Sequence, residues 1–225
     1  MSDLLGLSIW TLALAGGLGA CVALHRRGLA RTHVRDLLHI GTGVWVLGWP
    51  AWQSAWGPSS LTLGVALATA AVPWAARRSR LARQVEQSLS GDDERWVGLI
   101  QYTGMYALLT WQGLTSAALP AASALLALSL GDGMGGAVGL RWGRRGYRVP
   151  GGKRKSLEGS LAVWIASALG VALAGWRFGA MPALGAIAAL ATVSTLAEAL
   201  APRGMDNLFV PATVWLAAVA MMPMT

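Results

Sequence analysis

The order of apolar and polar positions along the chain is the first guide to its structure. From Leu4 to Leu24 the sequence is a nearly unbroken apolar run. That is the length of helix, about 20 residues, that crosses the roughly 30 Å hydrocarbon core of a bilayer. Further runs of this kind lie at roughly 37–56, 60–76, 96–112, 114–131, 157–175, 180–200 and 208–223. The pattern predicts an all-α, polytopic transmembrane helical bundle of about eight spans, forming one integral membrane domain over residues 1–225. Seven spans result if the junction near Gly113 or the stretch 131–143 is divided differently. No basic region precedes the first run and no small-residue cleavage signature follows it, so it reads as a retained span rather than a signal peptide. One longer polar stretch, about Arg77 to Arg95, contains Leu81, Val85 and Leu89 at helical spacing. It predicts a solvated linker helix lying at the membrane interface.

Composition supports a lipid solvent. The chain is 55% hydrophobic and only 12% charged, whereas a soluble domain carries about a quarter charged residues. Its mean hydropathy is +0.51. Twenty-nine glycines suit helices that approach closely. The single cysteine, Cys21, rules out an intrachain disulfide. The net charge of +8 raises the question of nucleic acid, but basic segments interleaved with aromatics are missing outside the apolar runs. Topology explains the charge instead. If eight helices alternate, every one of the 18 basic residues except Arg177 falls on one side, and Lys and Arg favour the cytoplasmic side. Both termini are therefore expected outside, with the basic loops in the cytoplasm. No HExxH, CxxC pair or P-loop is present, which removes support for a zinc protease, an iron–sulfur protein and a Walker-type ATPase.

Ionisable residues near membrane depth are costly and mark function. Asp132, Glu158, Glu198 and Asp206 stand near the ends of predicted spans, all on the side of the basic loops. Asp132 lies in Gly131-Asp132-Gly133-Met134-Gly135-Gly136. Glycines let a backbone approach phosphate or metal closely. Gly131, Gly135, Gly139 and Gly143 are also spaced by four, the pattern of a helix face packed against another. The next polar segment is Lys153-Arg154-Lys155-Ser156-Leu157-Glu158-Gly159-Ser160. Ser156 and Glu158 suit the start of a helix, and a helix N-terminus flanked by lysines is also an anion site. Arg141, Arg144 and Arg145 are explained by the positive-inside rule alone. Glu198, in an apolar helix, needs a cation or a metal ion as partner in space. Asp206-Asn207, just before the last run, suits either helix capping or oxygen ligation of Mg²⁺ beside substrate phosphates. His39 reads as a hydrogen-bonded interfacial residue, and Trp45, Trp49, Trp52 and Trp56 mostly as interface anchors.

Taken in order, these motifs resemble the phytol kinase, farnesol kinase and dolichol kinase family of polytopic membrane enzymes. The resemblance rests on Gly131-Asp132-Gly133 before a basic loop, Lys155-Ser156-x-Glu158-Gly159-Ser160, Glu198, and Asp206-Asn207 followed by Pro211. It covers residues 130–211 best. Arg35 and His39 match an earlier family motif as accessory positions, while Asp36 stands where a Lys is expected. The resemblance implies transfer of the γ-phosphoryl group of CTP to an isoprenoid alcohol such as phytol, farnesol, geranylgeraniol or a polyprenol. It implies Asp132, Glu158, Asp206 and Asn207 as ligands of Mg²⁺ or another divalent cation, and Lys153, Lys155 and Ser156 on the phosphates. Gly131, Gly133, Gly135 and Gly136 would line the nucleotide cleft, with Asp132 or Glu198 taking the hydroxyl proton and Lys155 stabilising charge. The compact length suits bacterial members, hence an inner membrane with the site facing the cytoplasm. A CTP-dependent lipid cytidylyltransferase or a diacylglycerol kinase would use much the same residues. A small transporter fits less well, because the carboxylates sit at one interface rather than near the midplane of repeated halves.

Overall fold

The computed structural model describes residues 2–89, 95–150, 154–202 and 204–222, which form a helical bundle. Among these residues the helices are α1 (Asp3–Arg26), α2 (Arg31–Leu47), α3 (Trp56–Ala76), α4 (Arg80–Leu89), α5 (Arg95–Thr115), α6 (Ala118–Trp142), α7 (Leu157–Arg177), α8 (Leu184–Leu200) and α9 (Asp206–Met221). Each of the eight apolar runs overlaps a helix, and the polar stretch after Arg77 supplies α4. By length and composition α1, α3, α6 and α7 are apolar enough to cross a membrane; α8 and α9 are shorter apolar helices. A helix of 21 residues, such as α7, is about 31 Å long at 1.5 Å per residue.

Helix α6 is the hub. It packs against α2, α5, α7, α8 and α9, while α1, α3 and α4 gather outside α2 and α5. Every residue from Leu119 to Ser129 is buried, and Leu125, Leu126 and Leu128 anchor a core completed by Val171, Leu190 and Val214. Large apolar side chains remain outside, including Leu12, Trp56, Leu67, Trp176 and Leu184. Such an apolar exterior suits contact with lipid.

The structure corrects several expectations. Helix α2 starts at Arg31 rather than near residue 37, so His39 lies within it rather than at its start. It ends at Leu47 rather than near residue 56, because Pro50 follows and a short 3₁₀ turn, Trp49–Ala51, replaces it. The stretch 131–143, whose division the apolar pattern left open, continues α6 to Trp142, so the glycines around Asp132 are helical, as their spacing by four suits. The loop after it includes an antiparallel ribbon not foreseen from the sequence, β1 (Gly146–Arg148) with β2 (Arg154–Ser156), pairing Tyr147 with Lys155, within a fold that is otherwise all-α. Trp45 and Trp49 are core residues rather than interface anchors. Gly113 leaves Trp49 room, since a Cβ there would lie 2.4 Å from its ring, and Gly48 does the same for Trp10, at 2.5 Å. On α4, Val85 and Leu89 pack with Cys21, Val34 and Leu99, but Leu81 is exposed.

Candidate active site

The glycines of α6 form two faces. A Cβ at Gly131 or Gly135 would run into α7, meeting Ser167 Oγ at 2.6 Å and Val163 Cγ2 at 2.3 Å. Gly139 and Gly143 look onto Ser156, where α7 begins. This four-residue stripe is the seam between two closely approaching helices. Gly133 and Gly136 face α2 instead, against Ile40 and the Asp36 carboxylate. Asp132 lies between the two seams and therefore projects at the junction of α2, α6 and α7.

At that junction the helices part around a cavity of about 510 Å³. Its walls combine Arg35 of α2, Asp132, Gly135 and Gly136 of α6, Lys155 and Ser156 at the ribbon's end, Glu198 of α8 and Asp206 of α9. Arg144 and Arg154 stand at the ribbon side. Ser156 caps α7, its Oγ accepting from the Gly159 N–H at 3.1 Å, so the first turn of α7 is fixed at the cavity wall. The cavity thus joins a helix N-terminus, four cations and three carboxylates.

Two close polar pairs organise the interior. His39 Nδ1 donates to Asp132 Oδ2 at 2.6 Å. Lys155 Nζ donates to Glu198 Oε1 and, at 2.6 Å, to the Glu198 carbonyl oxygen. The partner that Glu198 requires is therefore a cation. Arg35 Nε is buried with no hydrogen-bond partner, although its guanidinium reaches the cavity wall. A buried donor left unpaired is costly, and an anion in the cavity would relieve it.

The structure brings together Arg35, Asp132, Gly135, Gly136, Lys155, Ser156, Glu198 and Asp206, but not every expected residue. Gly131 and Gly133 are buried in helix seams away from the cavity. Glu158 is off its wall; the carboxylate accepts from the N–H groups of Arg144 and Arg145 at 3.1–3.3 Å and pins the base of the ribbon. Asn207 is buried, its Nδ2 donating to the Gly98 carbonyl at 3.0 Å and tying α9 to α5. Neither stands on the cavity wall beside Asp132 and Asp206. Lys153 lies outside the described residues. His39 is not on the wall but directly behind Asp132. Sequence reasoning left Arg144 to the positive-inside rule, and assigned no role to Arg154, Ser160 or Val163. The ribbon and the α6–α7 seam bring these to the site, and neither is visible in apolar spacing.

The far end of the bundle is built differently. Arg177, the lone basic residue assigned to the other side, ends α7, and its Nε donates to the Leu47 carbonyl at 2.8 Å. It satisfies an otherwise open carbonyl at the C-terminus of α2.

No family model matches the chain, and no solved structure matches it. A curated relative does: the chain is 31% identical over 198 residues to a phytol kinase of Synechocystis sp., covering 84% of this chain and 79% of the relative. By that relation the chain belongs to the phytol kinase family.

Proposed function

We propose that the protein is a lipid-alcohol kinase, transferring the γ-phosphoryl group of a nucleoside triphosphate to an isoprenoid alcohol. The donor proposed is CTP, on the family resemblance alone. The observation that carries the reading is the cavity itself: Arg35, with its unpaired buried Nε, and Lys155 share a wall with Asp132, Glu198 and Asp206. Phosphoryl transfer depends mainly on positioning and charge stabilisation, and these groups are the parts it needs. The relative's name, phytol kinase, supports an alcohol acceptor over a lipid phosphate.

In the proposed reaction the alcohol oxygen attacks the γ-phosphorus. The new O–P bond forms while the bond from the γ-phosphorus to the β–γ bridging oxygen breaks, and the electron pair leaves with the nucleoside diphosphate. The hydroxyl proton passes to the free carboxylate oxygen of Asp132. Arg35, Lys155, Arg144 and Arg154 offset phosphate charge, and the N-terminal turn of α7 adds its dipole. Glu198 holds Lys155 in place through the carboxylate and the carbonyl oxygen.

A divalent cation fits this donor set in a limited way. Among the described residues no three His, Cys, Asp or Glu side chains converge as a ready-made cage. Mg²⁺ needs only one or two carboxylates when phosphates and water supply the rest, and Asp132 and Asp206 are the candidates. Bound there, it would supply charge neutralisation on the triphosphate.

The proposed topology has eight spans, both termini outside and the cavity facing the cytoplasm, in a bacterial inner membrane. Its support is that Arg35, Arg144, Arg154 and Lys155 lie at the cavity, whereas Arg177 lies at the opposite end of α7. The tail of the acceptor would run between helices into lipid. The test uses purified protein in detergent with Mg²⁺, γ-labelled CTP and a panel of isoprenoid alcohols and diacylglycerol. Label in a lipid monophosphate with release of CDP is the expected result and names the acceptor. Transfer of CMP to a lipid phosphate would make the protein a cytidylyltransferase with the same site, and no turnover of nucleotide would sink both readings.

A further inference from the structure

The reaction proposed above gives Asp132 a proton to accept, and the packing behind Asp132 shows what holds it ready. His39 is fully buried and does not reach the cavity, so it is not positioned to touch a substrate. Its Nδ1 meets Asp132 Oδ2 at 2.6 Å, shorter than an ordinary N–H···O bond, as bonds to an ionised acceptor are. An ionised carboxylate only accepts, so the hydrogen of this bond belongs to Nδ1.

The ring itself is fixed from behind. Tyr102 of α5 lies parallel to it, with ring centroids 4.3 Å apart and planes within 3°. Tyr102 is held in turn: its hydroxyl pairs with Thr42 Oγ1, and Thr42 Oγ1 also donates to the His39 carbonyl at 2.8 Å. Tyr106 extends the group through Ser129, whose hydroxyl donates to the Leu125 carbonyl at 2.7 Å. Three helices therefore immobilise one imidazole whose only hydrogen-bonding side chain among the described residues is Asp132, since Nε2 is buried with none there. A core histidine serving packing alone would have no reason to spend its single bond on a carboxylate that faces the cavity.

We infer that His39 is the positioning residue of Asp132: it occupies Oδ2, fixes the carboxylate rotamer and leaves Oδ1 directed at the acceptor hydroxyl. Tyr102 is the backstop that keeps the imidazole in plane. This inference rests on the kinase reading for its consequence in turnover, but the bond itself is testable without turnover.

The experiment pairs His39→Phe, which keeps a ring against Tyr102 but removes the donor, with His39→Asn, whose Nδ2 offers an N–H near the Nδ1 position. The expected result for His39→Phe is a kcat lowered roughly tenfold to a hundredfold, the scale of losing a residue that orients a functional group, with the KM for nucleotide unchanged. His39→Asn should recover most of that loss at equal thermal stability. Equal kcat in wild type and His39→Phe, or no recovery in His39→Asn when both variants fold, overturns the inference. The second readout is nitrogen-15 NMR of histidine-labelled protein, which has only three histidines to assign. Wild type should show one strongly deshielded Nδ1–H that is lost in His39→Phe and moved in Asp132→Asn; its absence overturns the inference even in a protein that transfers no phosphate. If that signal is present but no alcohol is phosphorylated, the kinase reading fails while the pairing stands.

Discussion

The two halves of α6 teach opposite lessons about one helix. From Leu119 to Ser129 every residue is buried, most of them leucine and alanine. From Gly131 to Gly143 its side chains shrink, α7 and α2 come close, and the space left where they part is the cavity. The first half excludes solvent and sets where the helix stands. The second half places one carboxylate, Asp132, at the meeting point of α2 and α7. Interiors resist change because they are close-packed, so the leucine half serves as a fixed base for the polar half.

That comparison can be broken in a definite order. Asp132→Asn should have the largest effect, lowering phosphoryl transfer about 10²- to 10⁴-fold while the thermal melting curve stays close to wild type; normal activity would remove Asp132 from the chemistry. Leu125→Ala, in the other half, should do the reverse. A cavity at this position costs about 2–5 kcal/mol, read as a lower melting temperature in detergent, with KM for nucleotide unchanged in the protein that remains folded. Gly135→Ala should come next, at about 1–3 kcal/mol, because its Cβ would sit 2.3 Å from Val163 and a β-branched side chain has little freedom to turn aside. Gly139→Ala is the internal control for that stripe. Its Cβ would meet nothing nearer than 3.6 Å, so the melting temperature should move by no more than about 0.5 kcal/mol corresponds to. Equal destabilisation by both substitutions would show that the stripe acts through helix propensity rather than through the seam.

The Glu158 position shows where sequence reasoning reaches its limit. A carboxylate in the first turn of a helix, beside Lys155 and Ser156, reads equally as dipole complement, cap partner or metal ligand. The structure selects the bonds to the Arg144 and Arg145 N–H groups, because the ribbon folds back over the start of α7. Asn207 was ambiguous in the same way, and the neighbour that decides it, Gly98, is far away in the chain. His39 and Asp132 are also distant in sequence, and nothing in either segment announces that they touch.

What the sequence determined by itself is what depends on local pattern. Apolar runs located the helices, because burying a backbone in lipid requires that its hydrogen bonds be satisfied within the segment. The distribution of arginines separated one end of the chain's helices from the other, since it is a property of loops rather than of contacts. The motifs around Asp132, Lys155, Glu198 and Asp206 supplied the family. The tertiary structure alone decided which polar residues share a cavity, which glycines are seam and which are wall, and that Asp132 pairs with His39 while Glu198 pairs with Lys155. Those choices follow from where α2, α6, α7 and α8 cross, and a crossing is fixed by side chains on different helices packing together, which no single stretch of sequence contains.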